Sequence, residues 1–146
     1  MSKQTSDFCD SVTRLYRLLD TRPDEYMQIG HNTKLNSVDV SAVQFVGDNP
    51  DCIVSDLGAF LGVVPTTTSS IVDRLVKRDV MKRLRTEENR RVVILRLAPK
   101  GEEIYNTLHS RRLAVGQKVL LNLSSAERST LTSLMRKMAV GSSGTA

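Results

Sequence analysis

The sequence predicts a mainly α chain with one small antiparallel hairpin, in the order α-α-α-α-β-β-α-α. Three observations lead there. Apolar residues recur every three to four positions in six stretches, the period drops to two only between Met81 and Leu97, and capping residues or prolines mark most of the boundaries. A chain of 146 residues suits one domain and can bury a core without disulfides.

Phe8, Val12, Leu15 and Leu19 fall on one side of a first helix. Pro23 stops it, because the residue before a proline avoids helical backbone. Residues 23–34 lack periodicity, contain Gly30 and read as a loop. Ser37 is the expected N-cap of a second helix with Val40, Val43 and Val46 inward, closed by Gly47-Asp48-Asn49-Pro50. After an extended piece at Cys52-Ile53-Val54, Ser55 is expected to cap a third helix, and Gly62 suits the left-handed position that ends it. Pro65 then opens a fourth helix, where a missing N–H is harmless.

Met81 to Arg85 and Arg91 to Leu97 read as strands joined by the polar tip Thr86-Glu87-Glu88-Asn89-Arg90. A fifth helix starts near Pro99 and carries Ile104, Leu108, Val115 and Val119 on a stripe broken by Arg111. Ser124-Ser125-Ala126-Glu127 is a capping box that opens a sixth, with Leu131, Leu134, Met135 and Met138 on one face. Residues 37–97 thus have the layout of a winged helix-turn-helix. Residues 1–36 and 98–140 supply N- and C-terminal dimerisation helices, and residues 141–146 a flexible tail.

Composition removes several classes of function. The longest apolar runs are far too short to cross a membrane, and the N-terminus does not lead into a secretory signal, so a soluble cytoplasmic protein without a membrane partner is expected. Two cysteines, Cys9 and Cys52, are too few for a bridged scaffold. His31 and His109 have no metal-ligand spacing, and phosphate loops, nucleophile elbows and HExxH are missing. The chain is therefore expected to have no catalytic residues, cofactor or metal and not to be an enzyme.

Charge is unevenly spread. Residues 1–62 hold 5 Lys/Arg against 9 Asp/Glu, residues 63–100 hold 10 against 4, and residues 101–146 hold 6 against 3. A basic segment inside a mixed chain marks contact with a polyanion, although a solvated face would give the same count. Within it, five successive Thr/Ser residues (Thr66 to Ser70) disfavour helix by roughly 1.5–3 kcal/mol, a cost that a function should offset. At about 100° per residue, Thr68, Ile71, Val72 and Leu75 turn inward. Thr66, Thr67, Ser70, Asp73, Arg74 and Lys77 turn out. Short hydroxyls let a helix sit deep in a major groove, and threonine methyls can meet thymine methyls. Asp73 then needs a cation, either Arg74, Lys77 or an arginine of the hairpin. That hairpin carries Arg83, Arg85, Arg90, Arg91 and Arg96, and arginine at its tip suits a narrow minor groove. Double-stranded DNA is the partner these features select.

The run Val54-Ser55-Asp56-Leu57 to Leu61-Gly62-Val63, followed by Ile71-Val72-Asp73-Arg74-Leu75, Glu88-Asn89-Arg90-Arg91, Leu95, Leu97 and Lys100-Gly101, resembles the MarR family of transcriptional regulators. The resemblance extends over residues 37–138. It implies a homodimeric regulator, a repressor in the commonest form, that reads a pseudo-palindrome with two winged domains. Thr66, Thr67, Ser70 and Arg74 match the family's major-groove contacts, with Lys77 beside them, and Arg90 matches the wing tip, flanked by Arg85 and Arg91. Asn89 replaces the family's usual Asp, so Arg91 is expected to pair with Asp73 or Glu88, making Asp73 the support of the wing. Val64 replaces a Ser that would cap the recognition helix.

The resemblance also implies a small aromatic effector. The few aromatic residues (Phe8, Tyr16, Tyr26, Phe45, Phe60 and Tyr105) read as core rather than as its pocket. Some relatives sense oxidants through an N-terminal cysteine, but Asp7 and Asp10 beside Cys9 disfavour a thiolate, so a partly buried, unreactive Cys9 is expected. Two other readings stay open: a winged-helix module for protein interaction, and a redox-sensing regulator working through Cys9.

Overall fold

The structure is a computed structural model and describes residues 2–19, 35–88 and 90–141. The expectations for Tyr26, His31 and Asn89, for the loop at residues 23–34 and for the tail beyond 141 lie outside the described residues. The elements are α1 (Lys3–Leu19), α2 (Ser37–Asp48), α3 (Val54–Leu61), α4 (Pro65–Lys77), β1 (Met81–Arg85), β2 (Val93–Leu97), α5 (Pro99–Leu120) and α6 (Ser125–Gly141). The chain divides into a central unit, Asp20–Arg111, and an outer unit made of Met1–Leu19 and Arg112–Ala146.

The buried core belongs to the central unit. Ala42, Val43 and Val46 of α2, Leu57 of α3 and Ile71, Val72 and Leu75 of α4 meet Met81, Leu95 and Leu97 of the hairpin and Ile104 and Leu108 of α5. These are the inward positions of the helical and strand periods, so pattern and packing agree. Two glycines allow close approach. A Cβ on Gly58 would stand 2.7 Å from Oγ1 of Thr68, where α3 crosses α4, and one on Gly101 would stand 1.9 Å from the Val80 carbonyl oxygen. Thr68 is buried and its hydroxyl donates to the Val64 carbonyl at 3.2 Å, which satisfies the one polar group at that crossing.

Of the described aromatic residues expected in the core, Phe45 and Tyr105 pack against it and the other three do not. Phe8, Tyr16 and Phe60 are exposed, Phe45 and Tyr105 are half-buried, and the core itself is aliphatic. Phe45 stacks on Phe60 with ring centroids 4.6 Å apart, at the rim of the central unit.

Two caps differ from expectation. The N-cap of α2 is Asn36, not Ser37: Asp39 N–H donates to Asn36 Oδ1 at 2.8 Å and Asn36 N–H to Asp39 Oδ2 at 3.3 Å. A carboxylate three residues on favours Asn36, because it closes a reciprocal box that Ser37 could not. Ser55 likewise lies inside α3, whose first turn is held by Ile53 N–H donating to Asp56 Oδ2 at 3.0 Å. Gly62 (φ 65°) closes α3 in the left-handed conformation, and Pro65 is the first residue of α4, both as expected.

β1 and β2 pair antiparallel from Met81↔Leu97 to Arg85↔Val93. Arg91 and Val92 belong to the tip rather than to β2, which is two residues shorter than expected. Ile53 forms an isolated bridge to Ile94, with Leu95 N–H donating to the Cys52 carbonyl at 2.8 Å, so the segment before α3 lies along the outer edge of the hairpin. That bridge fixes β2 of the hairpin to the start of α3.

In the outer unit, α1 has no buried residue although its apolar positions line up. The capping box of α6 is present: Ser124 N–H donates to Glu127 Oε2 at 2.8 Å and Glu127 N–H to Ser124 Oγ at 3.4 Å. These bonds to Ser124 hold the Glu127 carboxyl below its usual range. Among the described residues, no helix is long and apolar enough to cross a membrane.

Candidate nucleic-acid interface

The outer face of α4 is made by its own sequence. Pro65 stands at its first position and Val64 makes no side-chain bond to the first turn, so no capping group covers that end. Thr66, Thr67 and Ser70 are exposed, and Ser70 donates its hydroxyl back to the Thr66 carbonyl at 3.0 Å. That bond uses the hydroxyl hydrogen and leaves the Ser70 oxygen able to act only as an acceptor. Lys77 is exposed in the last turn. A surface groove of about 440 Å³ runs along the helix between Ser70, Asp73, Arg74, Lys77 and Arg78.

The charged groups on this face are tied in a way that local sequence does not reveal. Arg74 reaches back to α2, where its Nε (3.1 Å) and Nη2 both donate to Oδ1 of Asp39. Asp39 is 1% exposed and Arg74 37%, so the carboxylate is interior and the guanidinium spans the boundary. Arg78 places Nη1 3.6 Å from the other oxygen of Asp39. Asp73 meets a hairpin arginine as expected, and the one it meets is Arg83, whose Nη1 donates to its Oδ1. Both are solvent-accessible, so the pair adds about 0–1 kcal/mol of stability and mainly links α4 to β1.

On the hairpin, Arg85, Arg90 and Arg91 are all exposed, with Arg90 and Arg91 at the turn. Arg96 binds Asp51 through both carboxylate oxygens, Nη2 to Oδ2 at 2.8 Å. The guanidinium holds the Asp51 carboxyl below its ordinary range. Asp51 itself is left-handed (φ 68°), a conformation that turns the chain from α2 into the bridge with β2.

The face thus brings together hydroxyls from the first half of α4, the cations of its second half, and a hairpin pinned at two points. Sequence reasoning missed Asp39 and Arg83 as partners. The Asn36-x-x-Asp39 spacing was available as a capping signal, but a counter-ion 35 residues from Arg74 has no local signature.

The remaining candidates separate cleanly. Cys9, expected to be partly buried, is exposed on α1, whereas Cys52 is buried in the central unit. Burial pushes the Cys52 thiol up, which keeps it protonated and unreactive. Among the described residues no cluster of His, Cys, Asp and Glu could hold a metal ion. His109 stacks on Tyr105, whose hydroxyl donates to Asp48 Oδ1 at 2.6 Å.

Comparison with known proteins completes this description. Residues 35–93, which hold α2, α3, α4 and the hairpin up to the start of β2, match the MarR family. The chain is 29% identical over 96 residues to the HTH-type transcriptional regulator BilQ of Clostridium symbiosum, covering 66% of this chain and 67% of that protein. Over this central stretch the chain is similar to the MarR family. The fold matches those of solved structures over almost its whole length. A MarR family protein from Bacillus stearothermophilus superposes with a TM-score of 0.77 at 24% identity, covering 98% of this chain and 99% of that one. Streptococcus pneumoniae FabT, solved in complex with DNA, gives 0.73 at 19% identity, with 94% of each chain covered.

Proposed function

We propose that this chain is a regulator of the MarR type, a homodimeric repressor that reads a pseudo-palindromic operator, with α4 in the major groove and the hairpin tip in the adjoining minor groove. Thr66, Thr67 and Ser70 contact base edges and thymine methyls, Arg74 and Lys77 add contacts to bases or phosphates, and Arg85, Arg90 and Arg91 grip the backbone and minor groove. Asp73, neutralised by Arg83, supports the wing without repelling phosphates. The observation that carries the reading is that the hydroxyl-lined face and the exposed arginines of the hairpin belong to one unit, in the most basic stretch of the chain. A small aromatic effector that weakens this grip belongs to the same proposal.

Dimerisation rests on the outer unit. Phe8, Val12 and Leu19 of α1 and Leu134, Met135 and Met138 of α6 are large apolar side chains exposed in a single chain. Exposed apolar faces of this kind mark protein contacts, and a second copy covers both sets by symmetry. Two recognition helices would then enter successive major grooves about 34 Å apart.

Selection of bound duplexes from a random pool, followed by salt titration of the best one, tests the proposal. A palindromic preference and a steep fall of affinity with salt are expected, with Arg90→Ala weakening all duplexes and lowering the salt slope by about one. A flat salt response, or no preferred sequence, would instead favour a module for protein interaction.

A further inference from the structure

We propose that Asp39, a buried carboxylate at the start of α2, is a positioning residue for base recognition: it braces Arg74 so that the free end of the guanidinium meets a guanine. The inference rests on the DNA-reading function proposed above and adds a specific base contact to it.

Asp39 cannot swing. It lies at 1% exposure, its Oδ2 accepts the Asn36 N–H that closes the capping box, and its Oδ1 takes two donors from Arg74. The guanidinium has five N–H groups in one plane, and Asp39 engages its Nε–Nη2 side. That arrangement directs the other end, Nη1 with the second hydrogen of Nη2, away from the carboxylate. Arg74 lines the α4 groove with Ser70, one turn earlier on the same helix. Ser70 donates its hydroxyl hydrogen to the Thr66 carbonyl, so an acceptor docked here takes its hydrogen bonds from Arg74.

The chemistry favours a base over a phosphate. Guanine O6 and N7 form a paired acceptor that matches the end of a guanidinium, and a fork fixed in advance gives up no further side-chain freedom on binding. A phosphate has no such demand for direction. It responds to net charge, and a carboxylate bonded to the cation reduces that attraction. Bracing therefore improves readout of a guanine while weakening a phosphate contact. The simpler role, a clamp between α2 and α4, would need no exposed end on Arg74, and buried ion pairs add little stability for the desolvation they cost.

The test uses the full chain, the selected duplex, and a set of duplexes in which each G·C pair is replaced in turn. Wild-type protein should show one G·C pair in each half-site whose loss weakens binding about 10–100-fold. Arg74→Lys should erase that penalty and leave the salt slope unchanged. Asp39→Asn should reduce the penalty at the same pair by about 3–10-fold and leave every other position alone. Asp39→Glu, which suits the third position of a capping box, repeats the test should the asparagine variant fold poorly.

Equal weakening on all duplexes in the Asp39 variants, or discrimination that survives Arg74→Lys, would overturn the inference while leaving DNA reading intact. Failure of the wild-type chain to select any duplex would remove the function proposed above and the inference with it.

Discussion

The central and outer units are built from similar amphipathic helices, yet they reach opposite states. Among the described residues, the sixteen buried hydrophobics lie between Leu35 and Leu108, on elements that cover one another. α1 and α6 carry equally regular apolar stripes, and in one chain Phe8 remains 52% and Met138 51% exposed. Periodicity specifies which face is apolar, and topology decides whether the same chain can cover it. The surface proposed to read DNA lies on the unit that completes its own core, where side-chain positions are fixed by packing. The unit with uncovered faces is suited to pairing.

The largest effect separating the two should come from the central core. Leu57→Ala empties a fully buried site on α3 and should cost about 2–5 kcal/mol, a fall in Tm of roughly 8–20 °C by calorimetry. A fall of only a degree or two would mean that the central unit is less tightly packed than its burial suggests. Next in size, Val12→Glu combined with Met135→Glu should convert a dimer to a monomer at micromolar concentration in sedimentation velocity. The Tm should then lose its dependence on protein concentration, while near-native circular dichroism is retained. A dimer that tolerates both charges would place the pairing surface elsewhere.

The two regions also differ in how much could be read from sequence. Helix order, the limits of β1, the left-handed Gly62 and the inward face Thr68, Ile71, Val72 and Leu75 follow from periods and turn residues that act within one or two turns. The N-cap of α2 was displaced by one residue because Asn36 and Ser37 can both cap, and only the carboxylate of Asp39 decides between them. The bonds Arg74–Asp39, Arg83–Asp73 and Arg96–Asp51 join residues 10 to 45 apart in sequence, so nothing local announces them. The hydroxyl face of α4 and the arginines of the hairpin were legible as a candidate site; the carboxylates that orient and neutralise them were not. The expectation of aromatic core residues holds in part: Phe45 and Tyr105 pack against the core, whereas Phe8, Tyr16 and Phe60 stay exposed.

The smallest expected effects sharpen the same contrast. Arg85→Ala should weaken operator binding about 2–5-fold without altering Tm, since its side chain is exposed and removed from the core. Ser124→Ala should remove about 1 kcal/mol by opening the α6 cap, read as a small decrease in Tm. Because the Glu127 pKa is lowered by its bonds to Ser124, their contribution is present above the normal carboxylate range and is lost as pH falls through the lowered value. The wild-type and Glu127→Gln proteins should therefore converge in Tm under acid conditions, and a difference that persists there would detach the cap from the Glu127 charge.

Sedimentation equilibrium of the chain with its selected duplex is the most direct check on two winged units acting as a pair. Two chains per duplex at every mixing ratio, with no species of one chain per duplex, is the predicted result. A stable complex of one chain with one duplex, or a free chain that stays monomeric at high concentration, would contradict it.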